Sequence, residues 1–147
     1  AVLFLGRHVG YPVSLEGALK LKELAYIHAE GFAAGELKHG PIALIEPGQP
    51  VFVLVPSPRS SPVLHSKIVS NIQEIRARGA RVIVIAEGGD AGVLPYADEV
   101  LRVPATAPLL EPLLAVVPLQ IFAMALATAK GLDVDQPRNL AKSVTVE

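Results

Sequence analysis

Hydrophobic and polar positions follow two patterns along the chain: short apolar runs, and longer segments with an apolar residue every three or four positions. The apolar runs are typical of buried parallel strands, and the longer segments of helices that pack one face on a sheet. The predicted strands are 1–6, an edge strand at 31–34, 50–56, a run from 81 into a glycine-rich turn at 87–92, and 98–104. The predicted helices are 13–28, a short one within 35–44, 60–78 and 111–130.

Strands and helices therefore alternate, which predicts an α/β domain with three αβα layers and a mostly parallel sheet of four to five strands. We expect a flavodoxin-like strand order. Ligands of such sheets bind outside the carboxyl ends of the strands, so the loops after Leu5, Val55, Ile85 and Val103 are the first candidates for a site.

Composition narrows the function classes. The 147 residues suffice for one domain, and 51% of them are hydrophobic. A formal net charge of −1 provides no broad basic surface for nucleic acid or an anionic membrane. The chain has no cysteine, which removes disulfides and thiolate sites.

One apolar stretch, residues 113–129, imitates a membrane span, but its length is at the short limit and it contains Pro118 and Gln120. We interpret it as a buried core helix. The chain begins at Ala1 with no recognisable leader, and its one methionine is Met124. We expect an excised domain of a cytoplasmic protein.

The densest charge pattern lies on the first predicted helix. Glu16, Lys20 and Glu23 are spaced i, i+4, i+7, so they share a stripe roughly 60° wide. A solvated stripe with one Glu–Lys pair would add only ~0.2–0.5 kcal/mol. Alternatively, Glu23 moves a proton while Lys20 stabilises negative charge on an oxygen, which requires a cover over the stripe.

Two further residues are candidates for chemistry. His39 stands in the loop "GELKHGP", which can present an imidazole to a partner, although most loop histidines have no such role. Lys142 stands in "LAKSV"; a lysine held against apolar surface has a lowered pKa and becomes a nucleophile. This requires an ordered C-terminal tail. No histidine pair has metal-ligand spacing, and we predict neither a metal nor a cofactor.

Two long motifs, "LEGALKLKELAYIHAEGFAAGELKHGP" and "DVDQPRNLAKSVTVE", resemble the second sugar isomerase (SIS) domain of the glucosamine-6-phosphate synthase family. The resemblance extends over essentially the whole chain. It implies a SIS domain at 1–134 and an active-site tail at 135–147. The implied reaction converts fructose 6-phosphate and glutamine-derived ammonia into glucosamine 6-phosphate.

The resemblance also implies roles for particular residues. Glu23 corresponds to the base that moves a proton between C1 and C2, Lys20 to its cationic neighbour and Glu16 to a supporting carboxylate. His39 corresponds to a ring-opening histidine that reaches into the neighbouring subunit of a homodimer. In the tail, Lys142 corresponds to an imine-forming lysine, and Ala141 to a backbone contact with the sugar.

The family's complete enzyme also has a glutaminase domain and a first SIS domain, whose serine and threonine loops hold the phosphate. We therefore expect this chain to fold and dimerise but to be inactive alone. Two other functions stay open: a non-catalytic sugar-phosphate-binding SIS module of a regulator, and a ketosamine deglycase that breaks the C–N bond.

Overall fold

A computed structural model describes residues 1–140, which form one five-stranded parallel sheet between two layers of helix. The strands are β1 (Val2–Gly6), β2 (Ala29–Ala33), β3 (Pro50–Leu54), β4 (Arg81–Glu87) and β5 (Glu99–Val103). The helices are α1 (Gly10–Lys20), α2 (Pro62–Arg76) and α3 (Glu111–Ala129), with a π-helical turn at Leu21–Ala25 and 3-10 segments at Ala34–His39, Pro41–Leu44 and Pro108–Leu110.

The strand order is β2-β1-β3-β4-β5, and every neighbouring pair is parallel. This is the flavodoxin-like order predicted from the alternation of strands and helices. The predicted edge strand is also confirmed, although it begins two residues earlier than its apolar pattern indicated. The three-layer α/β prediction is therefore correct.

Each strand contributes side chains to both faces of the sheet, so the domain has two cores. On one face, α1 and α3 cover a cluster that includes Phe4 stacked on Phe52, with ring centroids 5.0 Å apart. On the other face, α2 and the 3-10 segments cover Leu5, Val53 and their neighbours. Because both faces are buried, β1 and β3 are apolar throughout, as their sequence indicated, whereas the edge strands β2 and β5 also contain exposed charged residues.

The first helix differs from its prediction at both ends. It begins at Gly10, three residues early, and its last turn is a π-helix that ends at Ala25 instead of His28. Tyr26 follows in the left-handed region, with φ at 55°. The stops predicted at Gly79 and Gly131 are confirmed, because both glycines have positive φ, 85° and 71°.

The prediction that the last helix is a buried core helix is only partly right. Leu119, Ala123 and Ala127 pack on the sheet, but the opposite side of α3 is exposed. By length and composition, residues 108–129 would suffice to cross a membrane. Within residues 1–140 no element covers the outer face, which is formed by Leu109, Leu113, Val117, Ile121 and Met124 of this helical region together with Leu15 and Leu19 of α1.

The junction between β1 and α1 leaves no room for a side chain on Gly6. A Cβ there would lie 2.1 Å from the carbonyl oxygen of Gly10, whereas a Cβ on Gly10 would lie 3.4 Å from the Leu54 side chain. We expect Gly6→Ala to lower the free energy of unfolding by about 1–3 kcal/mol, since backbone must move. Gly10→Ala, the matched control, should leave it unchanged or raise it. Urea unfolding of both variants measures this, and equal stabilities would contradict it.

Candidate active site

The three charged side chains predicted to share a stripe do meet. The ammonium of Lys20 lies 2.6 Å from a Glu23 carboxylate oxygen and 3.5 Å from one of Glu16. Lys20 and Glu23 side chains are each 27% exposed, so the pair is partly removed from solvent. We call these three residues the carboxylate–lysine cluster.

The cluster lies at the amino edge of the sheet and not at the carboxyl edge, where the general rule for such folds predicted a site. Helix α1 starts next to the carboxyl end of β1 and runs back antiparallel to the strand. The chain that follows the π-turn reaches the other end, because the Val2 amide donates to the His28 carbonyl at 3.1 Å. Lys20 and Glu23 are therefore separated from this domain's own carboxyl-edge loops by about the length of the strand, whereas Glu16 lies near the middle of α1.

The environment of Lys20 favours its charged form. The hydrogen bond to Glu23 is the main reason that the pKa of Lys20 is raised above its ordinary value; partial burial opposes the rise, and the charge of Glu16 adds to it. Lys20 is consequently an ammonium at neutral pH. It can stabilise a developing negative charge, but it has no free electron pair with which to attack a carbonyl.

The C-terminal segment returns to the same edge of the sheet. The amide of Arg138 donates to the Tyr26 hydroxyl at 2.8 Å, and its guanidinium carbon lies 4.1 Å from the centroid of the Tyr26 ring. Tyr26 follows Glu23 by three residues, so this contact fixes the chain close to the cluster. Lys142 and Ala141 lie outside the described residues.

His39 is not brought to the cluster within one chain. It ends the 3-10 segment Ala34–His39, here called the His39 segment, which packs on the α2 face of the sheet through Ala34 and Leu37. The imidazole is exposed, and its Nδ1 lies 2.7 Å from a Glu36 carboxylate oxygen. Because a carboxylate accepts hydrogen bonds, Nδ1 is the donor in this contact, and Nε2 is the ring nitrogen left outside it.

Sequence reasoning missed Glu36 and the Tyr26–Arg138 contact. In a 3-10 helix, side chains three residues apart eclipse one another, so the spacing of Glu36 and His39 would have indicated their contact had that helix type been predicted. The contact between Tyr26 and Arg138 joins residues 112 positions apart. No local pattern reveals it.

The carboxyl edge has a cavity of about 330 Å³ at the predicted loops. It is mostly apolar, and several of the polar groups in and beside its lining already have partners. Ser57 accepts hydrogen bonds from the amides of Arg59 and Ser60, at 3.2 and 3.4 Å, and Glu87 pairs with Arg59. The hydroxyl of Ser60 donates to Glu111 at 2.8 Å. The amides of Arg59 and Ser60 are thus occupied, and two carboxylates, Glu87 and Glu111, border the space, which disfavours a phosphate beside them.

Residues 1–130 match the model of the SIS domain family, and the chain belongs to that family. Over all 147 residues it is 85% identical to a glutamine–fructose-6-phosphate aminotransferase (isomerizing) of Leifsonia xyli subsp. xyli, and over 146 residues 78% identical to one of Streptomyces coelicolor. It spans 24% of the length of each of these relatives.

A solved structure agrees with this assignment. The C-terminal domain of glucosamine-fructose-6-phosphate aminotransferase from Francisella tularensis superposes with a TM-score of 0.80 and 40% sequence identity. The match covers 92% of this chain and 37% of that one. More than half of that structure therefore has no counterpart here.

The raised pKa of Lys20 predicts a pH dependence of stability. Because the folded state binds the proton of Lys20 more tightly than the unfolded state does, the stabilisation is complete below the unfolded pKa and is lost as pH rises through the higher folded pKa. The difference in unfolding free energy between the unmodified chain and Lys20→Met should therefore shrink from pH 9 to pH 11. Lys22→Met, at an exposed neighbouring position, is the control. A difference that stays constant over this range would refute the expectation.

The Tyr26 hydroxyl should protect the Arg138 amide from hydrogen exchange. Tyr26→Phe keeps the ring under the guanidinium but removes the acceptor, a loss of about 1 kcal/mol, so exchange at Arg138 should accelerate roughly fivefold. Tyr96→Phe, which alters a tyrosine on the other core, should leave it unchanged. Equal exchange at Arg138 in both variants would show that the contact does not hold the segment.

Proposed function

We propose that this chain is the isomerase-half domain of an enzyme that converts fructose 6-phosphate and glutamine-derived ammonia into glucosamine 6-phosphate. One observation carries the proposal: a carboxylate paired with an ammonium lies on a helix beside the anchor of the C-terminal segment. The chain is 70–85% identical to relatives named glutamine–fructose-6-phosphate aminotransferase (isomerizing), which supports the same reaction.

In the proposed mechanism, the amine of Lys142 adds to C2 of the open-chain ketose and water leaves, which forms an imine. Ammonia then displaces the lysine and leaves fructosimine. An imine nitrogen withdraws electron density, so the C1 proton becomes acidic, and Glu23 removes it and returns it at C2. Lys20 stabilises negative charge on the sugar oxygens, supported by Glu16. The backbone at Ala141 contacts the sugar.

We assign His39 to ring opening, as a residue that acts in the neighbouring subunit of a homodimer. Its Nε2 is free to accept or return a proton, because Nδ1 donates to Glu36. The His39 segment packs, through Ala34 and Leu37, on the face of the sheet opposite to α1, and the His39 imidazole is 73% exposed. A residue placed in this way can serve a second subunit without leaving its own domain.

The site needs further protein to be complete, and we propose that a first SIS domain and a glutaminase domain precede this chain in one polypeptide. The chain spans only a quarter of its relatives' length. The exposed apolar face of α1 and α3 borders the carboxylate–lysine cluster, and a patch of this kind marks an interface. We keep the division into a SIS domain, 1–134, and an active-site tail, 135–147, and place the enzyme in the cytoplasm.

The two alternative functions have less support. A regulator's sugar-phosphate-binding module has no need of a base, an imine-forming lysine and a histidine together. A ketosamine deglycase would use similar residues, but the relatives at 70–85% identity are named aminotransferases. Products formed from glutamine and fructose 6-phosphate separate the three functions: glutamate and hexosamine both appear only with the proposed one.

The test is Glu23→Gln in the full-length polypeptide. Hexosamine formation should fall about 10²- to 10⁴-fold, because the base is lost. Reduction with borohydride in the presence of fructose 6-phosphate should still attach the sugar to the peptide that contains Lys142, since imine formation does not need Glu23. Glu30→Gln, on the exposed part of β2, is the control. Hexosamine formation within twofold of the unmodified enzyme would overturn the proposed role of Glu23.

A further inference from the structure

A network of polar side chains joins the His39 segment to the rest of the domain. Arg7, in the loop after β1, donates from Nε to the side-chain oxygen of Asn71 at 3.0 Å. The side-chain amide of Asn71 donates to Glu74 at 3.3 Å, and Glu74 pairs with Lys38 at 2.8 Å. Lys38 directly precedes His39. Three stretches of chain that are distant in sequence thus meet on α2.

The inner members of this network are well shielded from water. Asn71 is only 4% exposed, and both ends of its amide have partners, so neither end is left unsatisfied. The Glu74 side chain is 19% exposed and that of Lys38 is 63% exposed, so the hydrogen bond of Glu74 to Asn71 is better shielded from water than its ion pair with Lys38. The guanidinium of Arg7 also lies against Gly35, where a Cβ would be 3.3 Å from a terminal nitrogen. The network therefore contacts the His39 segment at both ends, Gly35 and Lys38.

The segment depends on such contacts for its placement. A 3-10 helix has poorer hydrogen-bond geometry than an α-helix and is seldom stable alone. Ala34 and Leu37 fix its inner side by burial, but Lys38 and His39 are at its outer end. Among the described residues, the side chain of His39 has one hydrogen-bond partner, Glu36, in the same segment. The position of the His39 segment therefore determines where the imidazole is presented.

We propose that Glu74 is a positioning residue for His39: with Asn71 and Arg7 it holds the His39 segment on α2, so that the imidazole is presented at a fixed place. The inference rests on the role proposed above for His39. Glu74 does not touch substrate. It acts through the backbone of the segment, and its loss changes the reaction through the histidine.

A double-mutant cycle in the full-length enzyme tests this, with Glu74→Ala, His39→Ala and the double variant. Misplacing the histidine should lower kcat/KM roughly tenfold in the Glu74→Ala variant. In the His39→Ala background the same change should cost less than twofold, because no imidazole is left to position. Glu99→Gln, which alters an exposed carboxylate paired with Arg81, is the control and should leave kcat/KM unchanged.

A second measurement separates positioning from loss of the fold. Hydrogen exchange in the peptide 34–44 should rise in Glu74→Ala, whereas exchange in β3 and β4 should not change. If Glu74→Ala does not fold, Lys38→Met removes the other partner of the same ion pair and should give the same cycle with a smaller effect.

The outcomes are distinct. Equal losses from Glu74→Ala in the two backgrounds would indicate a general structural role and overturn the inference, as would no loss in either. With either of these results for Glu74→Ala, a large loss of activity in His39→Ala would still support the proposed role of the histidine. An enzyme unaffected by His39→Ala would overturn the role of the histidine and, with it, the positioning by Glu74.

Discussion

The arrangement of the whole domain depends on the return of α1 from the carboxyl end of β1 to the amino end of β2. Parallel neighbours require this crossover, and the close approach of Gly6 to Gly10 sets where it begins. An α-helix of eleven residues is about as long as a five-residue strand, so the last turn of α1 and the π-turn arrive at the amino edge. The carboxylate–lysine cluster therefore lies at that edge.

In open α/β sheets the ligand cavity and the charged side chains of the site usually lie at the same edge, the carboxyl edge; here they lie apart. The carboxyl edge has a cavity, but Ser57 accepts from two loop amides there, and the carboxylates Glu87 and Glu111 are paired with Arg59 and Ser60. The carboxylate–lysine cluster, to which proton transfer is assigned in the proposed function, lies toward the other edge, beside exposed apolar surface. Under the proposed function, a domain built in this way would supply groups to a site that neighbouring protein completes, and the chain covers only a quarter of its relatives' length.

The two faces of the sheet present different functional surfaces. The α1 and α3 side has the cluster and the Tyr26–Arg138 contact, and α2 on the other side holds the His39 segment through Glu74. Five parallel strands buried on both faces form a stiff layer between them. Groups on opposite faces can therefore contact different neighbours, as the proposed homodimer with His39 acting across subunits would require.

Much of this was determined by local sequence. Apolar runs specified the buried strands, and i, i+4, i+7 spacing placed Glu16, Lys20 and Glu23 on one stripe, because these patterns depend only on the periodicity of strands and helices. The two long motifs indicated the family and the candidate residues. Only the tertiary structure decided which edge of the sheet the cluster occupies, that Tyr26 anchors Arg138 and that Glu74 links Asn71 to Lys38. The Glu74–Lys38 and Tyr26–Arg138 contacts join residues 36 and 112 positions apart, and chain packing rather than local preference brings such residues together.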